Sequence, residues 1–570
     1  MDVTKKTFPF YLPRILHDLT TCCFVCLDLE FSGIHAKTEG RLRDGMQTLQ
    51  ERYTEVRGAA EVYQILQIGL TIAHEDLNIG QYTLKTYTFL LNPIIDRRLE
   101  VERVWSYQSS AIEFLLRNNF RMQAVYEEGI PYISRDEEAL AIAKTLERNH
   151  RIVRTKIDIQ ASDHESVEFL DGIRREINAW LSDEKATDDF LNIPPPRSRN
   201  EPRSPSEKLS TYQRKLIHQL VEIEYPSLVT DTKQSFIQIS HHNEVKRGAV
   251  NERRLKRTEH HVLKQMGFRW IVEAIAGGDL SKLDSQSFSE IMSSPKVVEG
   301  NDTPDEFLEK TRKRLKAKRF VLVGHNSFTD LVYFSRCFFE SLPERVEDFQ
   351  AMIHQRFPFI IDTKFMATYK SSSTASPSLS EISERLLKVE GPETIIDPLH
   401  GKYNEKQLFH DAGYDSLRTA EIFIKLAAQQ AVECTSNNTG SEDSRQESRF
   451  NPPSALGGNS TTISETDGKE PPEKRLKVAE RAVRSAFAHS TKFDILAELE
   501  GNVEGSNQDG DETMAVEDGS TLNSEYETGI LQRVKDGKLI PCFESTFWDA
   551  YRNQLRVFGT QEELCKLENV

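Results

Sequence analysis

The sequence predicts an α/β protein, and three observations predict it. Apolar runs of strand length recur at residues 22–27, 62–73, 82–91, 320–324 and 357–361. Segments of helical periodicity lie between them. Two of the runs, VYQILQIGLTIA at 62–73 and YTLKTYTFLL at 82–91, are joined by a short polar turn holding Asn78 and Gly80, the pattern of an antiparallel hairpin.

Along the chain, CCFVCLDLE at 22–30 is the first strand, apolar until it closes on Asp28-Leu29-Glu30. The hairpin follows, then helices over 111–119 and 135–145. From 165 to 245 the character changes: a helix at 167–181, a proline-rich stretch at Pro194-Pro195-Pro196-Arg197, a helix at 210–222 and an alternating strand, SFIQIS, at 235–240. A long charged helix is expected over 245–276 and a surface loop over 281–304. FVLVG at 320–324 is a buried strand that turns through His325-Asn326-Ser327 into a helix over 331–342. FPFIID at 357–362 is another strand, with a helix from Lys364, and the last helix of this block runs over 415–428. Beyond Cys434 the composition shifts to Ser, Asn, Gly, Thr and Glu, and disorder is expected to about Pro472 and again over 502–524. Short ordered pieces are expected at 481–499 and 530–567.

The 570 residues are enough for two or three domains with sizeable cores. A hydrophobic fraction of 38% and a charged fraction of 28% describe a soluble chain. No stretch reaches the ~20 continuous apolar residues of a membrane helix, so no membrane partner is expected. The start, Met1-Asp2-Val3-Thr4-Lys5-Lys6, lacks the apolar segment of a signal peptide, which points to an intracellular protein. Seven scattered cysteines make no disulfide framework. Cys23-x-x-Cys26 has zinc-like spacing but lies within a strand with no second pair, and reads as core. The net charge of −16 argues against indiscriminate coating of nucleic acid. The charge is unevenly spread, however, and KTRKRLKAKR at 310–319 is almost wholly basic: it either guides a polyanion toward the strand that follows it, the one leading to Asp330, or faces solvent as a helix.

Residues two apart on a strand share a face, so Asp28 and Glu30 emerge side by side at the end of an apolar strand. Alone, the pair reads as two surface acids. Three later residues share its setting. Asp330 and Asp415 each open a helix beside an apolar element, where a helix N-cap is the ordinary role, and His410 precedes Asp415 by five positions. Together, four carboxylates and one imidazole fit a two-metal nuclease site, in which divalent ions roughly 4 Å apart flank a phosphate. Oxygen ligands suit magnesium or manganese, and a histidine titrating near neutrality suits a general base.

The order Asp-x-Glu, Gly-His-Asn-x-x-x-Asp, His-x-x-x-x-Asp resembles that of the DEDDh 3′→5′ exonucleases. LDLEFSGI (27–34), YQSSAIEFLLRNNF (107–120), EEGIPYIS (127–134), VGHNSFTDLVYF (323–334), IIDTKFMA (360–367) and FHDAGYDS (409–416) are similar to the poly(A)-specific ribonuclease branch of the deadenylases. YQRKLIHQLVEIEYP (212–226) resembles that branch's inserted Arg-x-x-x-His nucleic-acid module. The resemblance covers about residues 5 to 430.

It implies an RNase H-like mixed sheet flanked by helices: nuclease parts at 1–164 and 246–430, an α+β insert at 165–245, a disordered linker at 431–480 and a partly ordered tail at 481–570. It makes Asp28, Glu30, Asp330 and Asp415 the ligands of two Mg2+ ions, for which Mn2+ substitutes, and His410 the general base. Phe31, Ser32 and Ile34 would border the terminal nucleotide, where base stacking contributes ~1–3 kcal/mol; core packing is the alternative for Phe31 and Ile34. Arg214, Lys215 and His218 would contact RNA phosphates, a solvated helix face being the alternative. The expected activity is removal of poly(A) or oligo(A) tails with release of nucleoside 5′-monophosphates, by a homodimer in the nucleus or cytoplasm. A basic match, Lys474-Arg475-Leu476-Lys477, is either an import signal or chance. No RNP-like aromatic motif is present, so cap binding is not expected; Trp548 either stacks on a base or packs on the nuclease. The competing readings are a non-catalytic RNA-binding protein and a DNA 3′ exonuclease.

Overall fold

The computed structural model describes residues 1–34, 46–150, 157–160, 163–183, 189–194, 209–233, 236–241, 244–292, 302–369, 377–386, 388–404, 407–439 and 529–568. The Lys474–Lys477 motif and the two stretches expected to be disordered, apart from the start of the first, lie outside these residues.

The chain forms two compact units, one of residues 1–95, 102–136 and 265–570, the other of 96–101 and 137–264. The first unit is built on a mixed sheet in the order Asp2–Val3, Gln81–Asn92, Ile65–Asp76, Phe24–Phe31, Val321–Gly324, Phe359–Asp362. The hairpin pairs antiparallel, as its short turn requires, and Phe24–Phe31 also runs antiparallel to Ile65–Asp76. Val321–Gly324 and Phe359–Asp362 then add in parallel. Sequence elements far apart in the chain therefore emerge at one end of the sheet.

One face of the sheet is covered by the helix Ala412–Thr439, whose Leu417, Ala420, Phe423, Ile424 and Ala427 are buried with Phe24, Cys26, Leu84 and Val323. Each large apolar side chain withdrawn from water in this way contributes about 1.5–3 kcal/mol. Cys26 belongs to this core and its thiol is pushed well up by burial, which suits packing and not metal ligation. The helix Phe8–Thr21, absent from the sequence reading, buries Ile15, Leu16 and Leu19.

Residues 529–568 complete this core. Trp548 is fully buried among Phe423, Phe543 and Phe359, and its indole donates to the carbonyls of Pro541 and Cys542. It packs on the nuclease and presents no ring for stacking. The same segment covers the sheet's outer strand. Asn553 donates its backbone N–H to Ile360 O at 2.8 Å, accepts the Ile360 N–H on Oδ1 at 2.9 Å and donates from Nδ2 to Pro358 O at 2.9 Å. An open strand edge would otherwise be a template for association.

The second unit is α+β. Ile237–His241 is the centre of an antiparallel sheet with Phe190–Ile193 and Leu228–Thr232 on either side. Leu170, Ile173 and Ile177 of one helix and Leu216, Ile217 and Leu220 of another fill its core. The unit is wider than the expected 165–245 because it includes most of the helices Arg135–His150 and Glu244–Met266.

Three expectations are corrected. The helix expected over 245–276 is two, Glu244–Met266 and Arg269–Ile275, because Gly267 has φ +44° and passes so close to Pro131 O that a Cβ would lie 2.0 Å from it. The strand expected from Val62 begins at Ile65, since Val62 ends a helix, Leu49–Val62, capped by Thr48 and Glu51. The 281–304 loop contains a helical turn, Ser285–Phe288, that buries Phe288.

Candidate active site

Asp28 and Glu30 lie near the end of Phe24–Phe31, side by side on one face. Gly69 and Gln67 are their cross-strand partners. Gly69 leaves room for the start of the helix Ala412–Thr439: a Cβ there would lie 1.8 Å from Ala412 O. Gln67 fixes the same point, accepting the Ala412 N–H on Oε1 at 2.9 Å. Asp415 is thereby held over the acidic pair.

His410 sits just before this helix with φ +64°, a left-handed conformation, and its backbone N–H donates to Asp415 Oδ2 at 3.0 Å. The Phe114 ring meets its imidazole edge-on at 4.6 Å. One ligand atom from each of Glu30, His410 and Asp415 lies within 4.8 Å of the others. The helix is capped by Asp411, whose Oδ1 accepts from the N–H of Gly413 and of Tyr414 and from the Tyr403 hydroxyl. Asp415 is therefore not the cap. Nor is Asp330, which lies in the first turn of Phe328–Phe338 while Ser327 takes the cap position.

Parallel pairing of Val321–Gly324 with Phe24–Phe31 brings the Gly324–Asp330 turn to the end of the sheet that holds Asp28 and Glu30. The turn is pinned by Asp362, a fully buried carboxylate that accepts the N–H of Asn326 (2.8 Å), Lys364 (2.9 Å) and Arg556 (2.9 Å).

The electrostatics link all four acids. Burial pushes Asp28 well above the usual carboxylate range, and Asp415, Asp330 and Glu30 push it further. Burial, then Asp415 and Asp330, does the same to Glu30. Asp330 is raised to about 7 by burial, with Asp362 adding and N–H bonds from its own backbone and from Leu29 opposing. Asp415 is raised to about 7 by burial, with Asp411 adding and the His410 N–H opposing. Among the described residues none of the four is in an ion pair, so their mutual repulsion is uncompensated by any side chain. Hard oxygen donors crowded without a counter-charge fit a divalent cation. His410 is lowered by desolvation, which favours the neutral imidazole.

The remaining expected site residues are placed as follows. Phe31 is half-buried with its ring 4.3 Å from Tyr333. Ser32 is buried, donating to Ser106 O and accepting the Gln64 N–H. Ile34 is exposed. In the second unit His218 is buried, with Nδ1 2.6 Å from Thr230 Oγ1 and Nε2 2.8 Å from Thr232 Oγ1. Arg214 donates to the carbonyls of Leu209 and Lys233, and Lys215 is exposed. The basic run at 310–319 is in the helix Pro304–Ala317 and the turn after it, and Lys318 donates to Thr20 O and Cys22 O, just before Phe24–Phe31 begins. It thus lies at the opposite end of the sheet from Asp330 and does not lead to it.

Gln67, Gly69, Asp362 and Asp411 were missed in the sequence. An isolated glycine within an apolar strand is a known sign of close backbone approach, and IID closes its strand much as LDLE does.

A mixed sheet carrying four unpaired carboxylates and a histidine at one end defines a nuclease-type acidic site. Residues 3–423 match the CAF1 family ribonucleases, and the chain belongs to that family. It is 25% identical over 450 residues to the poly(A)-specific ribonuclease PARN of Xenopus laevis, across 75% of this chain and 62% of that one. It is also 25% identical over 448 residues to the pre-piRNA 3′-exonuclease trimmer of Bombyx mori, across 76% of this chain and 72% of that one. The matched region thus spans less than two thirds of the frog protein. Among solved structures, the Mg2+- and Mn2+-bound form of S. pombe Pop2p is 14% identical with a TM-score of 0.31, over 75% of this chain and 92% of that one.

Proposed function

We propose that the chain is a divalent-metal-dependent 3′→5′ exoribonuclease that removes adenosine-rich tails from RNA 3′ ends. The observation that carries this is the convergence of Asp28, Glu30, Asp330 and Asp415, from one strand and two helices, on one uncompensated acidic site beside His410. Asp28, Glu30, Asp330 and Asp415 would hold magnesium, as two ions, or manganese in its place. When bound, the metal neutralises phosphate charge and lowers the pKa of a water.

The chain's own residues supply the rest. Neutral His410 accepts the proton of the attacking water, and its exposed position gives it access to solvent. The water oxygen bonds to phosphorus, the bond to the 3′ oxygen of the preceding nucleotide breaks, and a nucleoside 5′-monophosphate leaves. Phe31 and Ile34 provide apolar surface beside the acids for the terminal base. The adenosine preference is supported by the name of one relative, a poly(A)-specific ribonuclease, and action at an RNA 3′ end also by that of another, a pre-piRNA 3′-exonuclease trimmer. We extend the reading to a homodimer acting in the nucleus or cytoplasm.

The test uses the full chain and 5′-labelled RNAs with A, U, C or G tails, beside an A-tailed DNA. A magnesium-dependent ladder on A-tailed RNA, abolished by chelator and by Asp28→Asn, is expected. Equal shortening of the DNA would replace the ribonuclease reading, and no shortening of any substrate by a folded protein would refute catalysis.

A further inference from the structure

The helix Glu244–Met266 carries a stripe of cations on the second unit that the acidic site does not use. At 3.6 residues per turn, positions 253, 257, 260 and 264 fall within about 60° of arc and extend for about 16 Å along the axis. They are Arg253, Arg257, His260 and Lys264, all exposed, and Arg254 is exposed on the flank. Leu255, Thr258 and Val262 lie on the opposite face, where Val262 and Thr258 are buried and Thr258 Oγ1 is 3.0 Å from Thr145 Oγ1. The helix is thus anchored by one side and presents its cations from the other.

The acids nearby do not neutralise the stripe. Glu252 and Glu259 fall about 80° or more outside it, and Glu252 is paired with Lys256 at 2.6 Å. Asp96, which approaches the helix at His261, is paired with Arg98 at 2.7 Å. Among the described residues none of Arg253, Arg254, Arg257 and Lys264 is in an ion pair. In a chain with a net charge of −16, a row of unpaired cations is a local exception to the prevailing charge.

We propose that this stripe is a binding surface for the phosphate backbone of single-stranded RNA, separate from the acidic site. The inference rests on the ribonuclease reading for the identity of the polyanion. A row of like charges one helical turn apart matches an extended anion with regularly spaced charges. Arginine supplies planar, multiply donating groups suited to phosphate. Such contacts carry no sequence information, and they add affinity that falls with salt. The stripe would therefore hold RNA irrespective of its sequence.

The test compares the full chain with Arg253→Glu/Arg257→Glu/Lys264→Glu, and with Arg253→Lys/Arg257→Lys. Binding of oligoadenylates of about 5 and about 30 nucleotides is measured in chelator over a range of salt. Single strands contribute roughly 0.7 to the log–log salt slope per phosphate contact. The expected result is a slope for the long RNA shallower by about 2 in the triple variant, with the lysine variant close to the parent and thermal stability unchanged. Hydrolysis of the short RNA in magnesium should be unaltered, since none of these residues belongs to the acidic site. An unchanged slope and affinity for long RNA would overturn the proposal, as would loss of polyglutamate binding with RNA binding intact, which would point to an acidic protein partner. A slope change in a chain that hydrolyses nothing would keep the stripe and sink the nuclease reading.

Discussion

Gly69 lies directly across the strand pair from Asp28, and a Cβ added to it would sit 1.8 Å from the carbonyl oxygen of Ala412. That missing side chain sets how closely the helix bearing Asp415 can approach the strand bearing Asp28 and Glu30. Gly69→Ala should therefore push the helix away, destabilising the fold by ~1–3 kcal/mol through overpacking and lowering kcat. Gly172, with nothing within 4 Å of its Cβ position, is the control. In its uncrowded helical setting Gly172→Ala should stabilise by about 0.5–1 kcal/mol. Thermal unfolding of both variants checks the contrast. Equal behaviour at the two positions would remove the role assigned to Gly69.

The raised carboxylates give the metal-free protein an unusual pH dependence. An acid whose folded pKa exceeds its unfolded value of about 4 binds more protons folded than unfolded between those values. Stability then falls as pH rises through the window. For Asp330 and Asp415 the window runs from about 4 to about 7, and Asp28 and Glu30 are shifted in the same direction. His410, shifted down, acts oppositely, losing stability as pH falls below its unfolded value. The chelator-treated chain should lose Tm between pH 5 and pH 7.5 more steeply than Asp415→Asn, and Mn2+ should raise Tm more at pH 7.5 than at pH 5. Scanning calorimetry at fixed ionic strength measures this, and a parent curve parallel to that of Asp415→Asn would contradict the shifts.

The acids of the site were legible because their chemistry is written locally: Asp28 and Glu30 close an apolar run, Asp330 follows another, and His410 and Asp415 open a helix. Strand pairing completed the picture in a way no local pattern could, since the Gly324–Asp330 turn reaches the site only because Val321–Gly324 adds parallel to Phe24–Phe31. The supporting residues were invisible for a related reason. Gln67 reads as one polar residue in a strand, and its role as acceptor for Ala412 depends on a contact across 345 positions of sequence. The C-terminal segment was legible in part: 530–567 reads as an ordered piece, and of the two readings of Trp548 the packing one holds, since the ring is buried in the core. That the segment covers a strand edge depends on contacts such as Asn553 with Ile360, 193 positions away.

That placement predicts what happens when the segment is disturbed. Trp548→Ala should cost ~3–5 kcal/mol, the range for removing a large aromatic from a core. Asn553→Ala should cost ~1–3 kcal/mol by leaving Ile360 N–H and Pro358 O without their partners. Removing residues 529–570 should do more than either, because it also bares the edge of Phe359–Asp362 and releases the Arg556 N–H from Asp362. Light scattering should then report association, and activity should fall with the folded fraction. A truncated chain that stays monodisperse and fully active would show that the segment is dispensable.

His218 and Lys215, expected together as phosphate contacts, should separate on mutation. Both His218 ring nitrogens are within hydrogen-bond distance of threonine hydroxyls on the strand Leu228–Thr232, so the imidazole joins helix to sheet inside the second unit. His218→Ala would remove both of these hydrogen bonds and the buried ring between helix and sheet, at about 0.5–1.5 kcal/mol per hydrogen bond. Lys215 is exposed, and Lys215→Ala should leave stability within about 0.5 kcal/mol. If Lys215 meets a phosphate, its removal weakens RNA binding uniformly across sequences and makes the salt slope shallower by roughly 0.7. Denaturant unfolding separates the two effects from binding measured in chelator. His218→Ala that unfolds like the parent but binds RNA poorly would return the histidine to the RNA surface.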